Sequence, residues 1–110
     1  LRVIGPSALR WSVEEAETLA DYAPGTDLIP LVLHGAATFD GTDPPTDGLI
    51  VLNGHVAGAL QLSPVDGDDG QLDFSVLIDH SELRVGENAI QLLVPDPEER
   101  LASWRVAVAD

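Results

Sequence analysis

A chain of 110 residues with 45% hydrophobic content is one globular domain by size, and too apolar for a disordered segment. Nineteen acidic residues against five arginines, with no lysine, leave a formal net charge of -14. Such a surface repels phosphate backbones and anionic headgroups, which removes nucleic acid as a partner, disfavours anionic membrane surfaces and favours a monomer.

No apolar run approaches the ~18 residues of a membrane helix, so direct membrane insertion is not expected. The start at Leu1, without methionine or a signal-like stretch, reads as a processed product or an excised domain. The absence of cysteine removes disulfides, thiol catalysis and cysteine-based zinc sites. A salty environment and a preference for arginine codons explain the missing lysine equally well.

Residues 1–25 read as an N-terminal segment and 26–110 as a β domain. Leu1-Arg2-Val3-Ile4 breaks at Gly5-Pro6, as a short strand or the tail of a preceding domain. Ser12-Val13-Glu14-Glu15 has the form of a capping box, with Ser12 as N-cap and Trp11 stapled before it. Val13, Ala16, Leu19, Ala20 and Ala23 share one helical face, which predicts a helix over about 13–22 that stops at Pro24-Gly25.

Leu28 to Phe39 is apolar enough for a first core strand, with Pro30 at an edge or bend. Asp40 to Gly48 is a loop. Leu49 to Leu52 and His55 to Leu62 flank Asn53-Gly54, a hairpin signal because a type I′ turn requires positive φ twice. Gly58 in the return strand suggests a bulge or a close backbone approach. An acidic loop at 66–70 precedes Leu72, Phe74, Val76 and Ile78, which alternate with mostly polar neighbours. Ile90, Leu92 and Val94 alternate again, and Trp104, Val106 and Val108 close the chain. The predicted core is Leu72, Phe74, Val76, Ile78, Ile90, Leu92, Trp104 and Val106. About six short strands, about ten residues apart, predict a mainly β chain: an antiparallel β-sandwich, Ig-like or jelly-roll-like, with one short N-terminal helix.

Val51-Leu52-Asn53-Gly54-His55-Val56-Ala57-Gly58, then Phe74, then Leu83-x-x-Gly86-x-Asn88-x-Ile90, resembles accessory β-sandwich domains of bacterial cell-envelope and carbohydrate-active proteins. It is similar to the galactose-binding-like sandwich of family 2 glycoside hydrolases and to Ig-like modules of cell-wall proteins, over roughly half of the chain. Physically, Leu83 anchors a loop, Gly86 turns it, and Asn88 bonds its backbone. The resemblance implies an extracytoplasmic, non-catalytic accessory or interaction module of a larger envelope protein, with a protein or a glycan as partner. The alternative is a carbohydrate-binding module, calcium-supported.

Asp66, Asp68, Asp69 and Asp73 are the candidate calcium ligands, although their spacing fails the EF-hand pattern, and no other cofactor is indicated. Asp40, Asp43 and Asp47 form a second acidic loop, which would share a site with the first only if the two met in space. His34, His55 and His80 lack the spacing of a zinc site. His80-Ser81 is a neighbour pair without a nucleophile elbow, and no catalytic residue is assigned. Trp11 and Tyr22 are the only aromatics not placed in strands, so a flat sugar-stacking platform is not expected.

Overall fold

In a computed structural model, the structure describes residues 2–22, 31–41, 43–67, 70–96 and 103–109, with the backbone alone at His80. Among the described residues, eight strands form one sheet. They are β1 (Val3–Val13), β2 (Leu31–Phe39), β3 (Asp47–Leu52), β4 (His55–Gln61), β5 (Ser63–Pro64), β6 (Gln71–Ile78), β7 (Ile90–Pro95) and β8 (Trp104–Ala109). A helix α1 (Ala16–Ala20) follows β1. The strand order is β4-β3-β7-β8-β1-β2-β6-β5. Among the described residues, no helix is long and apolar enough to cross a membrane.

The chain is mainly β, as expected, but the sheet is mixed. The first and last strands lie side by side and run parallel, Val3 opposite Trp104 and Trp11 opposite Ala109, while the other ladders are antiparallel. The sheet curls until its β4 end touches β6, nearly closing a barrel. A Cβ on Gly58 would lie 2.8 Å from Val76 Cγ2, so this glycine is what permits the approach.

The N-terminal segment differs most from its expected form. Val3 to Val13 is an interior strand between β8 and β2, despite Gly5 and Pro6. Leu9 and Trp11 point into the core at 0% and 3% exposure, so Trp11 is a core residue and not a helix staple. The helix is five residues long and makes no side-chain cap, because Ser12 still belongs to the strand and the Glu15 carboxylate is engaged elsewhere. Ladder pairing of residues 9–13 with β2 outweighs the weak helical preference of an alanine-rich face.

In β6 the alternation holds: Leu72, Phe74, Val76 and Ile78 are buried and the residues between them are exposed. In β7, Leu92, Leu93 and Val94 are all buried, and Ile90 packs against the core at its margin. The phase of β8 is opposite to the expected one. Ala107 is the buried residue, while Trp104 and Val106 are half-buried. The neighbours decide this: Val94 lies opposite Arg105, whose Nε donates to buried Asp96 at 2.6 Å.

Candidate binding cleft

Where β4 and β6 face each other without a ladder, the surface opens into a cleft of about 790 Å³. Its floor is formed by Leu60 and Phe74, which face the core. Its polar walls carry His34, Asp47, Gln61, Ser63, Asp73 and Ser75. Each wall has a simple origin in the strand period. On β6, Phe74 points inward, so Asp73 and Ser75 point out. On β4, Leu60 is buried and Ala59 and Gln61 are exposed. At Leu62 the chain crosses from β4 to β5, which pairs with β6 through Ser63–Asp73 and Pro64–Leu72.

Five of these polar side chains, Asp47, Gln61, Ser63, Asp73 and Ser75, make no side-chain hydrogen bond or ion pair among the described residues. Asp47 and Asp73 come from different acidic stretches of the sequence, and the fold brings them to one cleft. None of the described arginines lines it.

His34 is the anchored exception. Its backbone N–H donates to Glu15 Oε1 at 2.6 Å, and its Nδ1 lies 3.0 Å from Glu15 Oε2. Glu14 N–H donates to the His34 carbonyl at 2.9 Å, so the Glu15 carboxylate takes over the β1–β2 ladder where the chain turns into α1. The hydrogen bond that the imidazolium donates to the Glu15 carboxylate holds the His34 imidazole above its usual range, against slight desolvation. Partial burial pushes the Glu15 carboxyl up, but the bonds from His34 outweigh it and leave the group below the usual carboxylate range.

Glu14, Glu15 and His34 are also the one grouping among the described residues whose ligand atoms gather within 4.8 Å. Both Glu15 oxygens are already committed to His34, so the trio acts as a clamp between β1 and β2. Of the expected calcium ligands, Asp68 and Asp69 lie outside the described residues. Asp66 and Asp73 are exposed and fall in no ligand grouping there. His55 is an exposed residue beside the hairpin turn. Sequence reasoning missed the cleft, since nothing local marks Gln61, Ser63 and Ser75 as neighbours of His34.

The motif residues meet at a different place. Asn53 and Gly54 have φ of +52° and +87°, the positive values a type I′ turn requires. Asn88, 7% exposed, gathers the loop before β7: its Nδ2 donates to the carbonyls of Leu19, Arg84 and Gly86, and its Oδ1 accepts from Arg84 N–H and Asn53 Nδ2. This network joins hairpin, loop and helix, and is a fold device with no reactive group.

Comparison of the chain with protein-family models, curated proteins and solved structures finds no match.

Proposed function

We propose that this domain is a non-catalytic accessory or interaction module of a larger extracytoplasmic envelope protein, and that the cleft between β4 and β6 is its binding surface. The observation that carries this reading is the set of five polar side chains, without partners among the described residues, around the apolar Leu60–Phe74 floor. Concave sites of a few hundred Å³ with convergent polar groups are where proteins hold ligands. A thickness of 20 Å accommodates two β layers about 10 Å apart, which supports a flattened, sandwich-like form of the barrel. The non-catalytic reading is supported by the commitment of Glu15, whose carboxyl is held below the usual range, to the β1–β2 clamp.

A glycan is the second reading, favoured by the hydroxyl, amide and carboxylate groups of Ser63, Ser75, Gln61, Asp47 and Asp73. The test is an NMR titration of the isolated domain with peptide and oligosaccharide libraries. Ligand-induced shifts centred on Ala59, Gln61, Asp73 and Ser75 are expected. A saturating ligand that moves only resonances elsewhere would contradict the assignment. Fractionation of cells producing the full-length parent tests the compartment, and a cytoplasmic location would overturn that part.

A further inference from the structure

We infer that the cleft and the apolar hollow beside it form one docking face for a basic partner protein. That partner sets an arginine against the cleft carboxylates and an apolar side chain against Leu77, an inference that rests on the cleft being the binding surface. The seam between β4 and β6 is shut at both ends. A Cβ on Gly58 would lie 2.8 Å from Val76 Cγ2 and 3.6 Å from the Leu77 carbonyl oxygen. At the other end the chain crosses at Leu62 into the Ser63–Asp73 pairing. A partner therefore lies over the two walls and reaches in from outside with its side chains.

The outer face of β2 and β6 grades from acidic to apolar. Along it Ala36 stands opposite Asp73, His34 opposite Ser75, and Val32 opposite Leu77. Val32 and Leu77 are both exposed, Leu77 at 64%. They border a second hollow of about 390 Å³, which shares Ala59 and Ser75 with the cleft and so adjoins it. Exposed apolar surface rimmed by polar groups is the make-up of a protein–protein contact site. Both hollows lie open to solvent, whereas a small-molecule site buries most of its ligand, which favours a broad partner.

Charge selects that partner. Asp47 and Asp73 make no side-chain hydrogen bond or ion pair among the described residues, and no described arginine lines either hollow. The imidazole of His34, on the same wall, is paired with Glu15 and does not neutralise them. The chain carries -14 overall, so an acidic protein is repelled, and so is a second copy of this chain. Arginine suits the site because its planar fork matches a carboxylate while its apolar stem packs on surface such as Leu60 and Phe74.

The test is fluorescence anisotropy with a labelled head-to-tail cyclic hexapeptide that presents arginine beside leucine. Its closed backbone offers side chains without a free strand. It is compared with a glutamate-for-arginine version and a serine-for-leucine version. Saturable binding of the arginine–leucine ring is expected, weaker by about ten-fold or more for either control. The same loss is expected for the Asp47→Asn/Asp73→Asn and Leu77→Ser proteins, all three positions being exposed. Amide resonances of Asp47, Asp73 and Leu77 should move together on binding. Equal binding of all three rings, with shifts still centred on the cleft, overturns this inference and leaves the cleft reading standing. Shifts at the two aspartates that leave Leu77 unmoved overturn the joint face. A neutral oligosaccharide that saturates the cleft where the rings fail overturns it in favour of a glycan. Concentration-dependent shifts of the same resonances in the free protein overturn it in favour of self-association. Cleft resonances that no probe moves overturn both this inference and the reading beneath it.

Discussion

Asn53 and Asn88, 35 positions apart in the chain, share a 3.0 Å hydrogen bond from Asn53 Nδ2 to Asn88 Oδ1. Through it the tip of one hairpin is tied to the loop before β7, and through Asn88 Nδ2 to the Leu19 carbonyl of the helix. Asn53 N–H also donates to the Ala89 carbonyl, and Asn53 Oδ1 accepts from Ala89 N–H. An apolar or truncated residue at 88 leaves several of these groups buried and unpaired. Asn88→Ala is expected to cost about 1–3 kcal/mol in urea unfolding, the penalty for stranding buried polar partners. A loss within about 0.5 kcal/mol, as at an ordinary surface site, would mean that the network contributes nothing to stability.

A second prediction concerns Gly35 and Phe74, opposite each other on β2 and β6. A Cβ at Gly35 would lie 2.0 Å from Phe74 Cζ, so the ring occupies the space that a side chain would take. Gly35→Ala is expected to cost about 1–3 kcal/mol or more by overpacking. In a Phe74→Leu background the same substitution should cost less, with a coupling of about 0.5–3 kcal/mol. Strictly additive effects would place the ring elsewhere.

The pH dependence follows from Glu15 and His34. Glu15 titrates lower when folded, so its contribution is present above the ordinary glutamate value of about 4.3 and is lost as pH falls through the folded value. His34 titrates higher when folded, so its contribution is present below the ordinary imidazole value of about 6.5 and is lost as pH rises through the folded value. Glu14, whose charge also favours the imidazolium, acts in the same direction. The stability advantage of the native chain over His34→Gln should therefore plateau between those two pH values and shrink on either side. Its size is small because the His34 side chain is 54% exposed. An advantage that grows with pH above the imidazole range contradicts the assignment.

The hairpin turn is legible in two residues, because few pairs other than Asn-Gly tolerate positive φ twice. The β6 face is legible because one side is core and the other is wall. The phase of β8 is not. Trp104, Val106 and Val108 form as regular a period as Arg105 and Ala107, and pairing with β7 and β1 decides between them without a local signature. Val3 to Val13 is hidden for a similar reason, since Gly5-Pro6 interrupts the pattern and Ser12-x-x-Glu15 imitates a cap. The cleft depends on which strands end beside each other, and that is set by the order of the whole sheet.

Unpaired carboxylates give a fourth prediction. With a net charge of -14, repulsion opposes folding when the screening length is ~30 Å at ~0.01 M salt, and fades when it is ~3 Å at ~1 M. The melting temperature is expected to rise with sodium chloride, most steeply at the low end. Calcium should add little beyond its ionic strength. A calcium-specific rise, abolished by changing Asp66, Asp68 and Asp69 to asparagine, would instead assign those residues a metal. Indifference to both salts would contradict the role of charge repulsion.

The most direct measurement of the seam itself needs no ligand. Native-state amide exchange in the free domain should alternate along both walls. Ala59 and Gln61 of β4, and Ser75 of β6, exchange fast, while Leu60, Phe74 and Val76, whose N–H groups lie in ladders, exchange slowly. That alternation is the result predicted for two strands that line one cleft without a ladder between them. Uniform protection across 59–61 and 73–75 would mean that β4 and β6 are hydrogen-bonded to each other, a closed barrel with no cleft between them.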